Sequence, residues 1–164
     1  MIKLLVFDVD GCLTNGKIVY NSSNDEYKSF NVKDGLSIAS WSRLGLKSAI
    51  ITGRNSKIVQ RRATELNITF LHQGVKDKYA LLREIVNEMN IDLKEVAAIG
   101  DDLNDYKMLK SVGWSFAPSD AVKEIKEIVD TVLECKGGEG AIREMIDLVV
   151  EKNNLKKEFL ELWQ

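Results

Sequence analysis

The chain has 164 residues, 45% of them hydrophobic, which is enough for one globular domain with a hydrophobic core and too little for a second full domain. Its 23 basic and 25 acidic residues nearly cancel to a net charge of −2, which argues against a nucleic-acid-binding protein and against a basic membrane-binding surface. The apolar runs are strand-sized and the N-terminus has no basic leader, so the sequence predicts no signal peptide, no membrane span and a cytoplasmic location.

Strand-like apolar runs alternate with amphipathic helical segments along the chain, and this alternation is typical of an α/β fold with parallel strands and helical crossovers. The predicted strands cover residues 3–7, 47–51, 69–71, 95–99, 113–116 and 131–133. The predicted helices cover residues 37–44, 56–66, 78–89, 104–110, 121–128 and 141–150. We therefore expect a single α/β domain over residues 1–164.

Residues 16–31 lack helical periodicity and predict a β-hairpin after the first strand, with a turn at 21–25. This hairpin is too short to fold as an independent cap domain, and alone it would be marginally stable. Its large apolar side chains are Ile18, Tyr20, Tyr27 and Phe30. We expect it to pack against something else, such as another subunit.

The last residues, 151–164, are charged but carry apolar side chains near the end. Such a pattern suits docking on another surface, for instance beside a neighbouring subunit's active site. A frayed tail is the alternative.

Two carboxylates, Asp8 and Asp10, directly follow the first apolar strand. In open parallel α/β sheets the ligand crevice lies just beyond the carboxyl ends of the strands. Carboxylates at such an edge are costly unless a cation meets them, so a bound metal is the first interpretation. Gly11 then allows a sharp turn out of the strand.

Other strand ends and one helix start bring further polar groups to the same edge. Thr52-Gly53-Arg54 follow the second strand, Asp101 follows the fourth, and Lys78 opens the helix between them. In a parallel sheet these positions face one crevice although they lie far apart in sequence.

These residue types suit phosphoryl transfer. Asp8 and Asp101 can supply the carboxylates that magnesium prefers, and Lys78 can neutralise charge on the transferring group. Thr52 can donate its hydroxyl to the same oxygens, and Gly53 lets a backbone N–H approach them. Asp8 is then left to attack phosphorus, while Asp10 protonates the departing alkoxide and later activates water.

The chain resembles the haloacid dehalogenase-like phosphatase superfamily over essentially its whole length. The four motifs of that superfamily match residues 8–11, Thr52, Lys78, and Gly100-Asp101-Asp102 with Asp105. More narrowly, the segments 30–35, 52–54, 100–105 and 137–144 are similar to the small, capless 3-deoxy-D-manno-octulosonate 8-phosphate phosphatases.

The resemblance implies a Rossmann-like three-layer fold with no large cap, an aspartyl-phosphate intermediate and a homotetramer whose neighbouring subunits close each active site. It also implies a Mg²⁺ ion held by Asp8, the backbone carbonyl of Asp10 and Asp101. Asp102 and Asp105 would be supporting acids.

The sugar acid needs its own contacts, and a guanidinium matches a carboxylate better than an ammonium does. Arg54, Arg62 and the turn at Gly35 are the candidates for this contact. Lys33 and Lys76 would help by charge alone. The only histidine, His72, is given no role.

Three alternatives stay open. The substrate could be a nine-carbon sialic-type acid 9-phosphate, since related phosphatases of this architecture use one. A phospho-receiver signalling domain also combines acids, threonine and lysine, but it carries its phosphoacceptor aspartate on a middle strand, where this chain has Thr52. A catalytically silent regulatory domain is the third.

Overall fold

The computed structural model describes all 164 residues and is built on a six-stranded sheet in which every neighbouring pair is parallel. The strands are β1 (Leu4–Phe7), β4 (Lys47–Ile51), β5 (Phe70–His72), β6 (Val96–Ile99), β7 (Trp114–Ala117) and β8 (Thr131–Val132). Their order across the sheet is β5-β4-β1-β6-β7-β8, which places β1 at the centre, next to β4 and β6.

Helices cover both faces of this sheet. They are α1 (Val32–Arg43), α2 (Lys57–Glu65), α3 (Lys78–Glu88), α4 (Tyr106–Leu109), α5 (Lys123–Lys126), α6 (Ala141–Lys152) and α7 (Lys156–Glu161). Alternate residues of β1 enter different cores, because Leu5 and Phe7 join a cluster with α1, α2, α6 and α7, whereas Leu4 and Val6 join one with α3, α4 and α5. The predicted three-layer α/β fold is therefore confirmed.

The hairpin after β1 is also present, as β2 (Val19–Tyr20) paired antiparallel with β3 (Glu26–Tyr27). Its strands are shorter than predicted. Ile18, Val19, Tyr20 and Tyr27 remain about half exposed in the single chain.

Helix α1 begins five residues before its predicted start at Ser37. The side chain of Asn31 accepts hydrogen bonds from the backbone N–H groups of Lys33 and Asp34 and so caps the helix. Val32 in the first turn is exposed and followed by Lys33, Asp34 and Gly35, so the buried apolar periodicity begins only later.

The last residues form α7, which packs on the chain's own α1 layer. Phe159 is buried in the core, and the indole N–H of Trp163 donates to Ser40 Oγ at 3.1 Å. The tail is therefore helical and folded against its own chain, and its docking beside a neighbouring subunit's active site stays a prediction. None of the helices combines the length and apolarity that crossing a bilayer requires.

Candidate active site

The catalytic candidate Asp8 lies at the carboxyl end of β1, in the middle of the sheet. The strand before it is fully buried on both faces, and Asp8 itself is only 4% exposed. Its backbone N–H donates to the carbonyl of Ile99 at 3.3 Å, which continues the pairing with β6. The central position of β1 thus places a buried carboxylate at the edge where neighbouring strands end.

Lys78 joins Asp8 to Asp105. Its Nζ lies 2.7 Å from Asp8 Oδ1 and 2.6 Å from Asp105 Oδ1, and all three side chains are almost completely buried. Burial lowers the pKa of Lys78, but the two carboxylates raise it by more, so the lysine stays charged. Asp105 Oδ2 also accepts the backbone N–H of Asp101 at 3.1 Å. Lys78 and Asp105 therefore form the buried, hydrogen-bonded base of the site.

Asp101 adds a third carboxylate to this cluster. Burial, Asp8 and Asp105 raise its pKa to about 8, and burial together with Asp105 raises the pKa of Asp8 to about 6 despite the opposing effect of Lys78. Three carboxylates and one ammonium leave an excess of two negative charges when all are ionised.

This excess fits a divalent cation. Ligand atoms of Asp8, Cys12 and Asp101 all lie within 4.8 Å of one another. Burial and the nearby carboxylates raise the pKa of the Cys12 thiol well above its ordinary value, so the thiol stays protonated and the two acids are the better metal donors. Oxygen donors of this kind suit a hard ion such as Mg²⁺.

The turn that carries Asp10 is held from two sides. Gly11 has a φ of +100°, and a Cβ there would overlap the carboxylate of Asp101, so only glycine fits. From behind, Gly138 donates its backbone N–H to the carbonyl of Cys12 at 2.9 Å, and a Cβ at Gly137 would overlap the carbonyl of Gly11. The glycine-rich segment 137–140 therefore supports the acidic turn.

Thr52, Gly53 and Arg54 follow β4 as predicted and line the same cleft as the acids. The N–H of Thr52 donates to the carbonyl of His72 at 3.0 Å, and its carbonyl accepts from Val75 at 3.0 Å, which fixes the turn. The cleft has a volume of about 200 Å³. Its lining residues are Asp8, Asp10, Thr52, Gly53, Arg54, Asp101, Asp102 and Asn104.

Two side chains of the hairpin, Glu26 and Lys28, contact residues that line this cleft. Lys28, whose side chain is only 1% exposed, forms a short ion pair with Asp10 and lies 3.6 Å from Glu26. Arg54 Nη2 donates to Glu26 Oε1 at 2.7 Å and to the hydroxyl of Tyr20 at 3.2 Å. The hairpin is thus tied to both Asp10 and Arg54.

Four predicted binding residues do not line the Asp8 cleft in this chain. Gly35 lies inside α1 against the guanidinium of Arg62, and Arg62 lines a separate pocket of about 300 Å³ with Lys28 and Phe30. Lys33 is exposed on the first turn of α1. Lys76 lines a groove of about 330 Å³ that meets the cleft at Asn104.

The remaining predicted acids differ in position. Asp105 is fully buried beneath the cleft, whereas Asp102 lies at the rim and caps the short turn after it by accepting from Leu103 N–H at 2.7 Å. His72 contributes its backbone carbonyl to the turn at Thr52.

Sequence reasoning missed the contribution of Glu26 and Lys28. Both belong to the predicted hairpin, and residues two apart on a strand share a face. The available signal was an acidic and a basic residue on one face of the second hairpin strand, with Tyr27 on the opposite face. Which way that face turns depends on how the hairpin folds back over the sheet, and no local pattern contains this information.

Comparisons with known proteins agree on one family. Residues 62–146 match the model of the haloacid dehalogenase-like hydrolases. The 3-deoxy-D-manno-octulosonate 8-phosphate phosphatase of Yersinia pestis is 40% identical over 149 residues, which cover 91% of this chain and 80% of that protein.

Solved structures agree as well. The phosphatase of the same specificity from Moraxella catarrhalis, crystallised with magnesium ion, phosphate ion and KDO, superposes with a TM-score of 0.94 at 38% identity, covering 99% of this chain and 94% of that one. The cobalt-bound enzyme from Haemophilus influenzae gives a TM-score of 0.89 at 35% identity, covering 93% and 90%.

Proposed function

The chain belongs to the haloacid dehalogenase-like hydrolases, in the family of 3-deoxy-D-manno-octulosonate 8-phosphate phosphatases, and on that premise we propose that it hydrolyses this sugar acid phosphate with the help of Mg²⁺. The observation that carries the proposal is the convergence of Asp8 and Asp101 in one polar cleft, with the buried ammonium of Lys78 bound to Asp8. The products are the free sugar acid and inorganic phosphate.

Asp8 is the nucleophile. With a pKa of about 6 it is mostly ionised at neutral pH, and its oxygen attacks phosphorus while the bond to the sugar oxygen breaks. An aspartyl phosphate results. Lys78 holds Asp8 in place, and Thr52 at the next strand end donates its hydroxyl to the phosphoryl oxygens.

Asp10 moves the proton. It lines the same cleft as Asp8 but pairs with Lys28, whereas Asp8 pairs with Lys78, so the two acids have different partners. In the first step Asp10 donates a proton to the departing alkoxide. In the second it takes a proton from the water that attacks the aspartyl phosphate, which frees Asp8 and phosphate.

The Mg²⁺ ion would be held by the carboxylates of Asp8 and Asp101 and by the backbone carbonyl of Asp10. When bound, it supplies positive charge against the oxygens of the transferring phosphoryl group. The residues around it remain arranged by the contacts to Lys78 and Asp105.

Arg54 binds the carboxylate of the sugar acid. It lines the cleft, it lies on the turn after Thr52, and its guanidinium suits a carboxylate. Arg62, Gly35, Lys33 and Lys76 would reach a substrate only at the cleft rim or across a subunit boundary.

The assembly is a homotetramer in which hairpins pack together. Support comes from the apolar side chains that the hairpin and the start of α1 leave exposed, including Val32 at 81% and Tyr27 at 54%. The enzyme would act in the cytoplasm, in keeping with its two free cysteines, and residues 1–164 would form a single domain of the family.

One substrate panel and one variant test this function. The wild-type protein with Mg²⁺ should release phosphate from 3-deoxy-D-manno-octulosonate 8-phosphate with a kcat/KM more than about tenfold above that for a nine-carbon sialic-type acid 9-phosphate or neutral sugar phosphates. Asp8→Asn should fold normally and lose turnover. Hydrolysis retained by this variant would refute the nucleophile, and a preference for the nine-carbon acid would change the substrate.

A further inference from the structure

Three polar side chains share one face of the hairpin. Tyr20 and Glu26 are directly paired across β2 and β3, and Lys28 follows Glu26 two residues later on the same side. This face is turned to the catalytic edge of the sheet, where it contacts Arg54 and Asp10. The hairpin therefore directs a set of hydrogen-bonded polar side chains toward residues of the cleft.

Arg54 is held by only one of its terminal nitrogens. Nη2 contacts Glu26 and Tyr20, whereas Nη1 is buried and has no hydrogen-bond partner. A buried, unpartnered guanidinium nitrogen in a cleft is costly unless a ligand completes it. Its position therefore points to an anion bound beside Arg54.

Glu26 is itself anchored. Lys28 lies 3.6 Å from its carboxylate, and Lys28 is in turn paired with Asp10. The glutamate is only 17% exposed on its side chain. It is therefore a fixed acceptor for Arg54, unlike a mobile carboxylate that would leave when substrate arrives.

We propose that Glu26 is a positioning residue that orients Arg54 for the carboxylate of the substrate, so that the hairpin helps to select sugar acids over neutral sugars. This inference rests on the proposed function, because it takes Arg54 as the contact for the sugar acid. A long arginine side chain loses conformational entropy when it binds a ligand. Because Glu26 already restricts Arg54 in the free enzyme, less entropy is lost when the substrate binds.

The test is steady-state kinetics of Glu26→Gln with two substrates. For 3-deoxy-D-manno-octulosonate 8-phosphate, KM should rise about tenfold while kcat stays within about twofold, because ground-state and transition-state binding of the carboxylate weaken together. For p-nitrophenyl phosphate, which has no carboxylate, neither constant should change. Asp25→Asn is the matched control, since it removes the neighbouring hairpin carboxylate, which bonds Asn21.

Combining Glu26→Gln with a variant of Arg54 separates a positioning role of Glu26 from a general structural role. In Arg54→Met protein, Glu26→Gln should have no further effect on kcat/KM for the sugar acid phosphate, since the two residues act as one unit. Should Glu26→Gln fold poorly, Tyr20→Phe removes the other acceptor at Nη2 without a charge change and should raise KM two- to threefold by the same logic.

An unchanged or lower KM in Glu26→Gln, an equal loss with p-nitrophenyl phosphate, or an equal loss in the Arg54→Met background would each overturn the inference. A wild-type protein without preference for the sugar acid phosphate would instead overturn the proposed function itself. The two failures are therefore distinguishable from the same data set.

Discussion

Replacing Lys78 by methionine would remove the only ammonium that contacts both Asp8 and Asp105. The wild-type contacts are 2.7 and 2.6 Å long, and the three side chains are between 0 and 6% exposed. Removing one partner of a buried ion pair typically costs about 3–5 kcal/mol, because the remaining charge stays buried without compensation. We expect a loss of this size in the free energy of unfolding at about pH 8 without Mg²⁺.

The loss should shrink as the pH falls. The pKa of Lys78 is raised above its ordinary value of 10.5, so the lysine is charged in both the folded and the unfolded chain below pH 10.5. Its own titration therefore does not change the free energy of unfolding between about pH 5 and 8. Lys78 also lowers the pKa of Asp8, which is about 6 in its presence, so without the lysine Asp8 takes up a proton at a higher pH. Protonation then relieves the repulsion with Asp105, and the variant regains stability toward about pH 5.

Urea denaturation at about pH 5 and pH 8 in EDTA measures both effects, with Lys107→Met as the control. Lys107 is an exposed lysine on the neighbouring helix, and its loss should change stability by less than about 0.5 kcal/mol. A loss below about 1 kcal/mol for Lys78→Met at pH 8, or a loss that does not depend on pH, would refute the electrostatic account. Phosphate release should also fall at least about a hundredfold.

Three further results are expected. Gly11→Ala should lower both the melting temperature and phosphate release, because its φ of +100° and the adjacent Asp101 leave no room for a Cβ, and unchanged values would contradict the geometry. Metal-free protein should lose stability as the pH rises from about 4 to 8, since Asp8 and Asp101 bind protons more tightly when folded, at pKa values of about 6 and 8. Mg²⁺ should therefore raise the melting temperature more at about pH 8.5 than at pH 6, and the reverse order in a thermal scan would count against a metal at these acids. Lys28→Met should lower kcat about tenfold, because Asp10 loses its buried partner, and a normal kcat would show that the ion pair has no part in turnover.

The sheet could be predicted from the sequence because its strands are buried on both faces. Apolar runs such as Leu4–Phe7 have no competing interpretation when helical segments separate them, and the structure shifts their ends by at most one residue. The helix starts were less predictable. Helix α1 begins at Val32 because the side chain of Asn31 caps it, and apolar periodicity gives no sign of such a contact.

The candidate site was predictable to the extent that strand topology determines it. Asp8, Thr52 and Asp101 follow β1, β4 and β6, which are adjacent in the sheet, so their convergence follows from the strand order. The contacts of Glu26 and Lys28 do not follow from it. They depend on how a short hairpin folds back over the sheet edge, a tertiary arrangement that the hairpin's own sequence leaves open.

The glycine-rich segment behind the acidic turn has a consequence for biosynthesis. Gly138 bonds the carbonyl of Cys12, and Gly137 packs against Gly11, so residues from the far end of the chain hold the turn that carries Asp10. During translation the motif made first must wait for these glycines to leave the ribosome before its shape is complete. The acidic turn is therefore completed only after the segment before α6 has been synthesised and has docked.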